Sequence, residues 1–243
     1  PPVNALGQGV RAGLLAAVEQ LEQDAALKAM LIVGQGKAFI AGADIREFGK
    51  PPMAPALPDV LNRMETGSKL VVAAIHGPAL GGGLEVAMAT HFRVALAGAK
   101  LGLPEVKLGL LPGAGGTQRS PRLMGVKAAT ELMLSGQHLS AKAALAAGLV
   151  DKLAEGDDPL VAGLAYVNEL LARGVPPRRT RDLAIADKAA ALAELDAIAL
   201  ESVKKTRGLF SPAKIIECVR AAVELPFEQG LKRERELFLE CLN

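Results

Sequence analysis

Two carboxylates carry the clearest chemical signal in this 243-residue chain. Glu85 stands in an apolar run beside Leu84, Val86, Ala87 and Met88, and Glu105 lies between Leu103-Pro104 and Val106. An acid in such surroundings is either held at the surface by a helix dipole or desolvated in a cleft, where its pKa rises. Two desolvated carboxylates facing one cavity supply a general acid and a general base. Their spacing alone does not establish that they face each other.

Glycine accompanies both acids. Gly77-Pro-Ala-Leu-Gly-Gly-Gly-Leu-Glu85 places three consecutive glycines after an apolar run. Ordering glycine costs more backbone entropy than ordering any other residue, so the run needs a reason. Either another backbone packs closely there, or a ligand does. A helix starting near Leu84 would turn its free N–H groups toward that ligand, which suits a developing oxyanion. No Gly-x-Gly-x-x-Gly is present, which argues against a dinucleotide loop. Pro112-Gly-Ala-Gly-Gly-Thr-Gln-Arg119 lacks the Gly-Lys-[Ser/Thr] ending of a phosphate-binding loop. Phe39-Ile-Ala-Gly-Ala-Asp44-Ile45 is built on small residues along which a ligand could run. Ordinary loop chemistry is the alternative for both segments.

The elements that must position these residues are legible as patterns. Val10, Leu14, Val18 and Leu21 predict a helix over 9–22. Met30–Val33, Leu70–Ile75 and Phe92–Leu96 are apolar on both faces and separated by helical patterns, which indicates a parallel α/β arrangement. Lys50-Pro-Pro-Met-Ala-Pro55 reads as a proline-rich loop that can move. Val126–Leu134 and Ser140–Ala147 read as helices, with Ser140 as N-cap and Gly148 as the C′ glycine. Leu149–Leu153 reads as a last short strand. From Glu155 onward the patterns are helical, broken at Gly174-Val-Pro-Pro-Arg-Arg and at Gly208-Leu-Phe-Ser-Pro. The division is an α/β core over 1–153 and a helical part over 154–243.

Composition excludes several classes. Hydrophobic residues make up 50% of the chain but aromatics only 3%, so packing must come from close backbone approach rather than large rings. Lys and Arg (28) nearly balance Asp and Glu (26), leaving +2. That is too even to be a footprint for nucleic acid or an anionic membrane, and bases would find few rings to stack on. No apolar run reaches the ~18 residues of a membrane helix. Pro1-Pro2-Val3-Asn4 does not open a signal peptide. Cys218 and Cys241 read as inert thiols, which fits a reducing compartment. No Cys/His spacing suggests a metal site. His76 and His91 read as structural, Arg119 as a brace for its glycine-rich loop, and Lys232-Arg-Glu-Arg-Glu236 as a solvated helix face.

Three segments acquire a joint meaning. Ala38–Ile45, Ala74–Glu85 and Leu103–Arg119, in that order and spacing, resemble the enoyl-CoA hydratase/isomerase (crotonase) family. Leu134-Ser-Gly through Ala147-Gly-Leu-Val150 continues the likeness. The resemblance implies an α/β fold, a crotonase-like spiral of β-β-α units with C-terminal helices. It implies an acyl-CoA thioester substrate whose carbonyl is polarised by the backbone N–H groups of Ala43 and Gly82. By the same likeness Glu105 transfers the α-carbon proton, Glu85 positions and activates water, and the Gly113 N–H helps hold that water. Ala41, Asp44, Ile45 and Phe48 would lie along the acyl-CoA. Hydration then needs no metal and no cofactor, since coenzyme A is part of the substrate. Family members that only shift a double bond typically lose the Glu85 position. Having both acids points to hydration of trans-2-enoyl-CoA to 3-hydroxyacyl-CoA. Isomerase activity can coexist, because a proton shuttled by Glu105 suffices for it.

The stretches Gly163–Asp182 and Glu224–Phe238 are similar to the hydratase part of multifunctional fatty-acid β-oxidation enzymes. In those a linker helix and a 3-hydroxyacyl-CoA dehydrogenase domain follow, and only that domain would need NAD. The expectation is a piece of such a protein, without the hairpin that usually precedes Pro2-Val-Asn-Ala-Leu6 and without the last CoA-binding helix. It would be a homo-oligomer, or a monomer within a multifunctional chain, in a bacterial cytoplasm or a peroxisome. One alternative is an acyl-CoA thioester hydrolase or another enzyme of the fold. A hydrolase needs an activated nucleophile, and no Ser or Cys lies in the glycine-rich segments. The other alternative is a non-catalytic acyl-CoA-binding subunit.

Overall fold

The computed structural model describes residues 3–47, 49–205 and 209–242, with backbone alone at Ile45 and at 203–205. After β1 (Ala5–Leu6) and α1 (Gln8–Gln23), the chain repeats one unit three times: a strand, a second short strand, then a helix. The units are β2 (Ala29–Val33), β3 (Gly42–Ala43) and α2 (Leu57–Glu65); β4 (Leu70–Ile75), β5 (Pro78–Leu80) and α3 (Gly82–Ala89); and β6 (Phe92–Leu96), β7 (Lys100–Gly102) and α4 (Gly116–Met124). Then come α5 (Val126–Ser135), β8 (His138–Ser140), α6 (Ala141–Ala146) and β9 (Lys152–Ala154). The first strands form the parallel sheet β2-β4-β6-β9. The second strands form β5-β7-β8, where β8 is antiparallel, and the pair β1-β3. A bridge from Ile40 to Ala79 links the two groups.

The sheet explains its own sequence. Side chains alternate faces along a strand. Leu70, Val72 and Ala74 pack against Tyr166, Val167 and Leu170 of α7 (Pro159–Ala172), whereas Val71, Ala73 and Ile75 enter the main core. Both faces of β4 are therefore buried, and its sequence shows no polar alternation. Gly163 lets α7 lie close on the sheet; a Cβ there would stand 2.7 Å from Leu31 and 2.9 Å from Ala74. Three further helices follow: α8 (Lys188–Lys205), α9 (Ser211–Glu224) and α10 (Phe227–Leu242), of which α9 and α10 pack on α4. No helix among the described residues is long and apolar enough to cross a membrane.

Local structure corrects three expectations. The last strand is 152–154 rather than 149–153, because the Leu149 and Val150 amides turn back to the Ala144 carbonyl and close α6. Ser140 does cap α6, accepting from the Ala143 amide at 3.2 Å, and Gly148 takes a φ of +80°. α3 starts at Gly82 instead of Leu84, because Gly81 turns the chain at φ +53°. The proline-rich loop is tied to α1, with Arg11 donating to the Met53 and Pro55 carbonyls and Gln8 to that of Ala54. The expected break at Gly208 lies outside the described residues.

Candidate active site

The glycine run joins β5 to α3, and its three residues serve different ends. At Gly83 another backbone is the reason: a Cβ would collide with the Ile40 carbonyl. At Gly82 a Cβ would lie 2.9 Å from Leu6 and 3.9 Å from Glu85 Oε2. At Gly81 it would lie 3.0 Å from Glu105 Oε1. The two carboxylates thus converge on consecutive residues of one turn, which their sequence spacing did not reveal.

Glu85 is 3% exposed, so the surface alternative does not hold. Its Oε1 accepts from the amides of Ala114 (2.7 Å) and Gly116 (2.8 Å) at the start of α4. Burial raises its pKa, while those two amides and Arg119 pull the other way. Glu105 sits in a 3-10 turn over 105–108. Its Oε2 is buried without a hydrogen-bond partner. Burial, reinforced by the charge of Glu85, pushes it up to about 8. Charge is best accommodated on Glu85, which has donors, and a proton on Glu105 Oε2, which has none.

The segment carrying the other expected residues runs beside this turn. The Leu80 amide donates to the Ile40 carbonyl at 3.0 Å. Ala43 pairs in register with Leu6, the residue that also touches Gly82, so Ala43 and Gly82 lie on neighbouring segments. Gly82 opens α3, and amides of a first helical turn have no acceptor within their helix. The Ala41 amide donates to the Asn4 carbonyl. The Asn4 side chain also holds the Gln35, Ala38 and Phe39 carbonyls, which ties the N-terminal segment to the chain leading into Ala41. Asp44 is bonded to Arg46 at 2.6 Å, and that guanidinium holds its carboxyl down to about 2. Phe48 and the Ile45 side chain lie outside the described residues. Gly113 immediately precedes Ala114, and a Cβ on it would stand 2.6 Å from the Phe238 ring of α10.

Three further buried side chains brace the surrounding elements. Arg119 braces the loop as expected, donating to the Ala114 carbonyl at 3.1 Å and pairing with Glu65 at 2.7 Å, each side chain 1% exposed. His91 is structural: its Nδ1 accepts from the Val71 amide at 2.9 Å and its Nε2 lies 3.1 Å from the Glu65 carbonyl. The solvated-face reading of 232–236 fails at its centre. Glu234 is 2% exposed and accepts from the Gly115 amide (2.6 Å), the Thr117 amide (3.0 Å) and the Thr117 hydroxyl (2.5 Å). Burial and the charge of Glu85 push it to about 8. A signal for it existed: Phe227, Gly230, Glu234 and Leu237 recur at helical spacing, and all are buried.

Residues 1–175 match the enoyl-CoA hydratase/isomerase family. The peroxisomal bifunctional enzyme of Danio rerio is 44% identical over 237 residues, covering 98% of this chain and 33% of its own length. A probable enoyl-CoA hydratase of Bacillus subtilis is 46% identical over 157 residues, 62% of this chain and 61% of its own. The structure of an enoyl-CoA hydratase from Thermoplasma volcanium has a TM-score of 0.64 and 25% identity, covering 99% of this chain and 84% of that one. The chain spans about a third of the length of the first curated relatives it matches. On the sequence match over 1–175 and on the shared spiral fold, the chain belongs to the enoyl-CoA hydratase/isomerase, or crotonase, family.

Proposed function

We propose that the chain adds water across the double bond of a trans-2-enoyl-CoA, giving a 3-hydroxyacyl-CoA. The observation that carries this is the convergence of Glu85 and Glu105 on Gly81 and Gly82. In the proposal, the Glu85 carboxylate takes a proton from water as its oxygen bonds to C3. The π electrons move toward the thioester oxygen, and Glu105 gives its proton to C2. The Ala43 and Gly82 amides receive the transient charge on that oxygen, where one well-placed donor contributes on the order of 3 kcal/mol. The Gly113 amide holds the water, and Ala41, Asp44, Ile45 and Phe48 flank the acyl-CoA. Exchange of one proton with solvent restores both acids. A 3-enoyl to 2-enoyl shift needs only a proton shuttle: ionised Glu105 takes the proton from C2 and returns it to C4. Hydration of crotonyl-CoA by Glu85→Gln and Glu105→Gln tests the reading; if both variants keep near wild-type rates, it fails.

The wider setting is part of the proposal. Residues 1–153 would form the catalytic spiral and 154–243 the helical part of a longer multifunctional protein. Its dehydrogenase domain would use NAD on the hydration product. The partial coverage of relatives named bifunctional supports this. The native protein's mass tests it, and sedimentation of the full-length protein decides between monomer and homo-oligomer. Relatives named peroxisomal stand beside bacterial ones, so a fluorescent fusion in the source cell must decide between cytoplasm and peroxisome.

A further inference from the structure

Four consecutive amides, Ala114 to Thr117, alternate between two carboxylates. Ala114 and Gly116 donate to Glu85, whereas Gly115 and Thr117 donate to Glu234. Gly115 adopts φ +96° where the chain enters α4, and successive amides there point to opposite sides. Glu85 takes one side from α3 and Glu234 takes the other from α10. The same helix places Phe238 on Gly113 and buries Leu237. The pair of amides that orients Glu85 is therefore fixed from behind by Glu234.

Resting on the hydratase reading, we infer that Glu234 is a positioning residue: by holding the Gly115 and Thr117 amides it presents the Ala114 and Gly116 amides to Glu85. It acts through Glu85 and through the loop. The titratable or charged groups facing it are Glu85 from α3, Glu105 from its 3-10 turn and Cys218 from α9. On α4, Arg119 is engaged with Glu65. A purely structural helix cap would hold α4 in place and nothing more. A positioning residue must also govern how Glu85 ionises.

Glu234→Gln in the full-length protein separates the two. Glutamine keeps the shape, but its NH₂ cannot accept from an amide, so one of the two amides loses its hold. The expected result is a tenfold or greater loss of kcat on crotonyl-CoA with KM changed less than threefold. The acid limb of the kcat–pH profile moves up, because Ala114 and Gly116 amides that are no longer held in place donate less well to the Glu85 carboxylate. Glu234→Asp should return the limb toward its wild-type position. Wild-type kcat in the Gln variant, or a lower kcat with an unmoved limb, overturns the inference. If the Gln variant does not fold, carboxyl 13C NMR of the wild-type protein decides. Glu85 and Glu234 must then titrate as a coupled two-step pair, and independent single-step curves refute the inference. A wild-type protein that hydrates nothing overturns the hydratase reading, while the NMR titration still decides the link between Glu234 and Glu85.

Discussion

Glu85 and Glu234 grip alternate amides of one short loop, although α3 and α10 lie far apart in the sequence. Two buried carboxyl groups are costly to ionise together, even where donors satisfy them. Here the donors are the Gly115, Gly116 and Thr117 amides that the N-terminus of α4 leaves unpaired, supplemented by the Ala114 amide and the Thr117 hydroxyl. The C-terminal helix is thereby one wall of the site. Glu105 has no such donors on Oε2 and is the acid of the three best suited to hold a proton.

The two glutamates should separate when two reactions are compared. In the proposed mechanism, Glu105→Gln removes the proton carrier for both hydration and the 3-enoyl to 2-enoyl shift. Both rates should fall about 10²- to 10⁴-fold. On the same proposal, Glu85→Gln removes the water-activating base, so hydration should fall by a similar factor while any isomerisation falls much less. Steady-state assays with crotonyl-CoA and 3-hexenoyl-CoA check this, and equal losses of both reactions in Glu85→Gln would refute the division of roles.

The pH profile follows from the same acid. The proposed hydration needs Glu105 protonated, so kcat should decline as pH rises through about 8. Stability should move the same way. The folded pKa values of Glu105 and Glu234, about 8, lie above the ~4.3 of an unfolded glutamate. The folded state thus retains protons that the unfolded state loses. Stability from these groups is full below pH ~4.3 and is lost progressively up to about 8. Urea titrations between pH 5 and 9 measure this, and Glu234→Gln should flatten the slope.

Much of the spiral was legible because its strands are buried on both faces and its helices are punctuated by glycine. β4 reads as an unbroken apolar run because α7 covers one side and the main core the other. The convergence of Glu85 and Glu105 was implied by the family resemblance but not legible from their spacing, because it depends on the chain reversal at Gly81, a matter of φ. Glu234 was obscured by its neighbours. Lys232, Arg233, Arg235 and Glu236 do face outward or toward surface partners, and a charge run conceals the one member that faces in. The Leu149–Leu153 run misled for a related reason: Leu149 and Val150 are buried as core residues without joining the sheet.

The glycine run should respond residue by residue. Gly83→Ala drives a methyl into the Ile40 carbonyl. Overpacking of this kind costs about 1–3 kcal/mol, equivalent to a Tm loss of roughly 2–4 °C per kcal/mol at this chain length. Gly81→Ala combines a strained φ of +53° with pressure on the Glu105 carboxyl at 3.0 Å, so its loss of kcat should exceed what its stability loss explains. Gly98→Ala meets open space and should change Tm little. Calorimetry alongside crotonyl-CoA assays provides the comparison; a Gly83→Ala variant as stable as Gly98→Ala would show that the backbone contact is dispensable.

The Arg119–Glu65 pair offers the most demanding energetic test. Both side chains are 1% exposed and the contact is 2.7 Å. Removing one partner strands a buried charge, so Arg119→Met should cost about 3–5 kcal/mol. Adding Glu65→Leu removes the stranded charge and should recover a large part of that loss, since an apolar pair of similar volume often matches a buried ion pair. Activity should behave differently. Arg119 also donates to the Ala114 carbonyl, next to the amide that binds Glu85, and the apolar pair cannot replace that bond. The double variant should therefore regain stability in denaturant titrations while its kcat stays below wild type. Recovery of both together would mean that Arg119 supports the fold without shaping the loop.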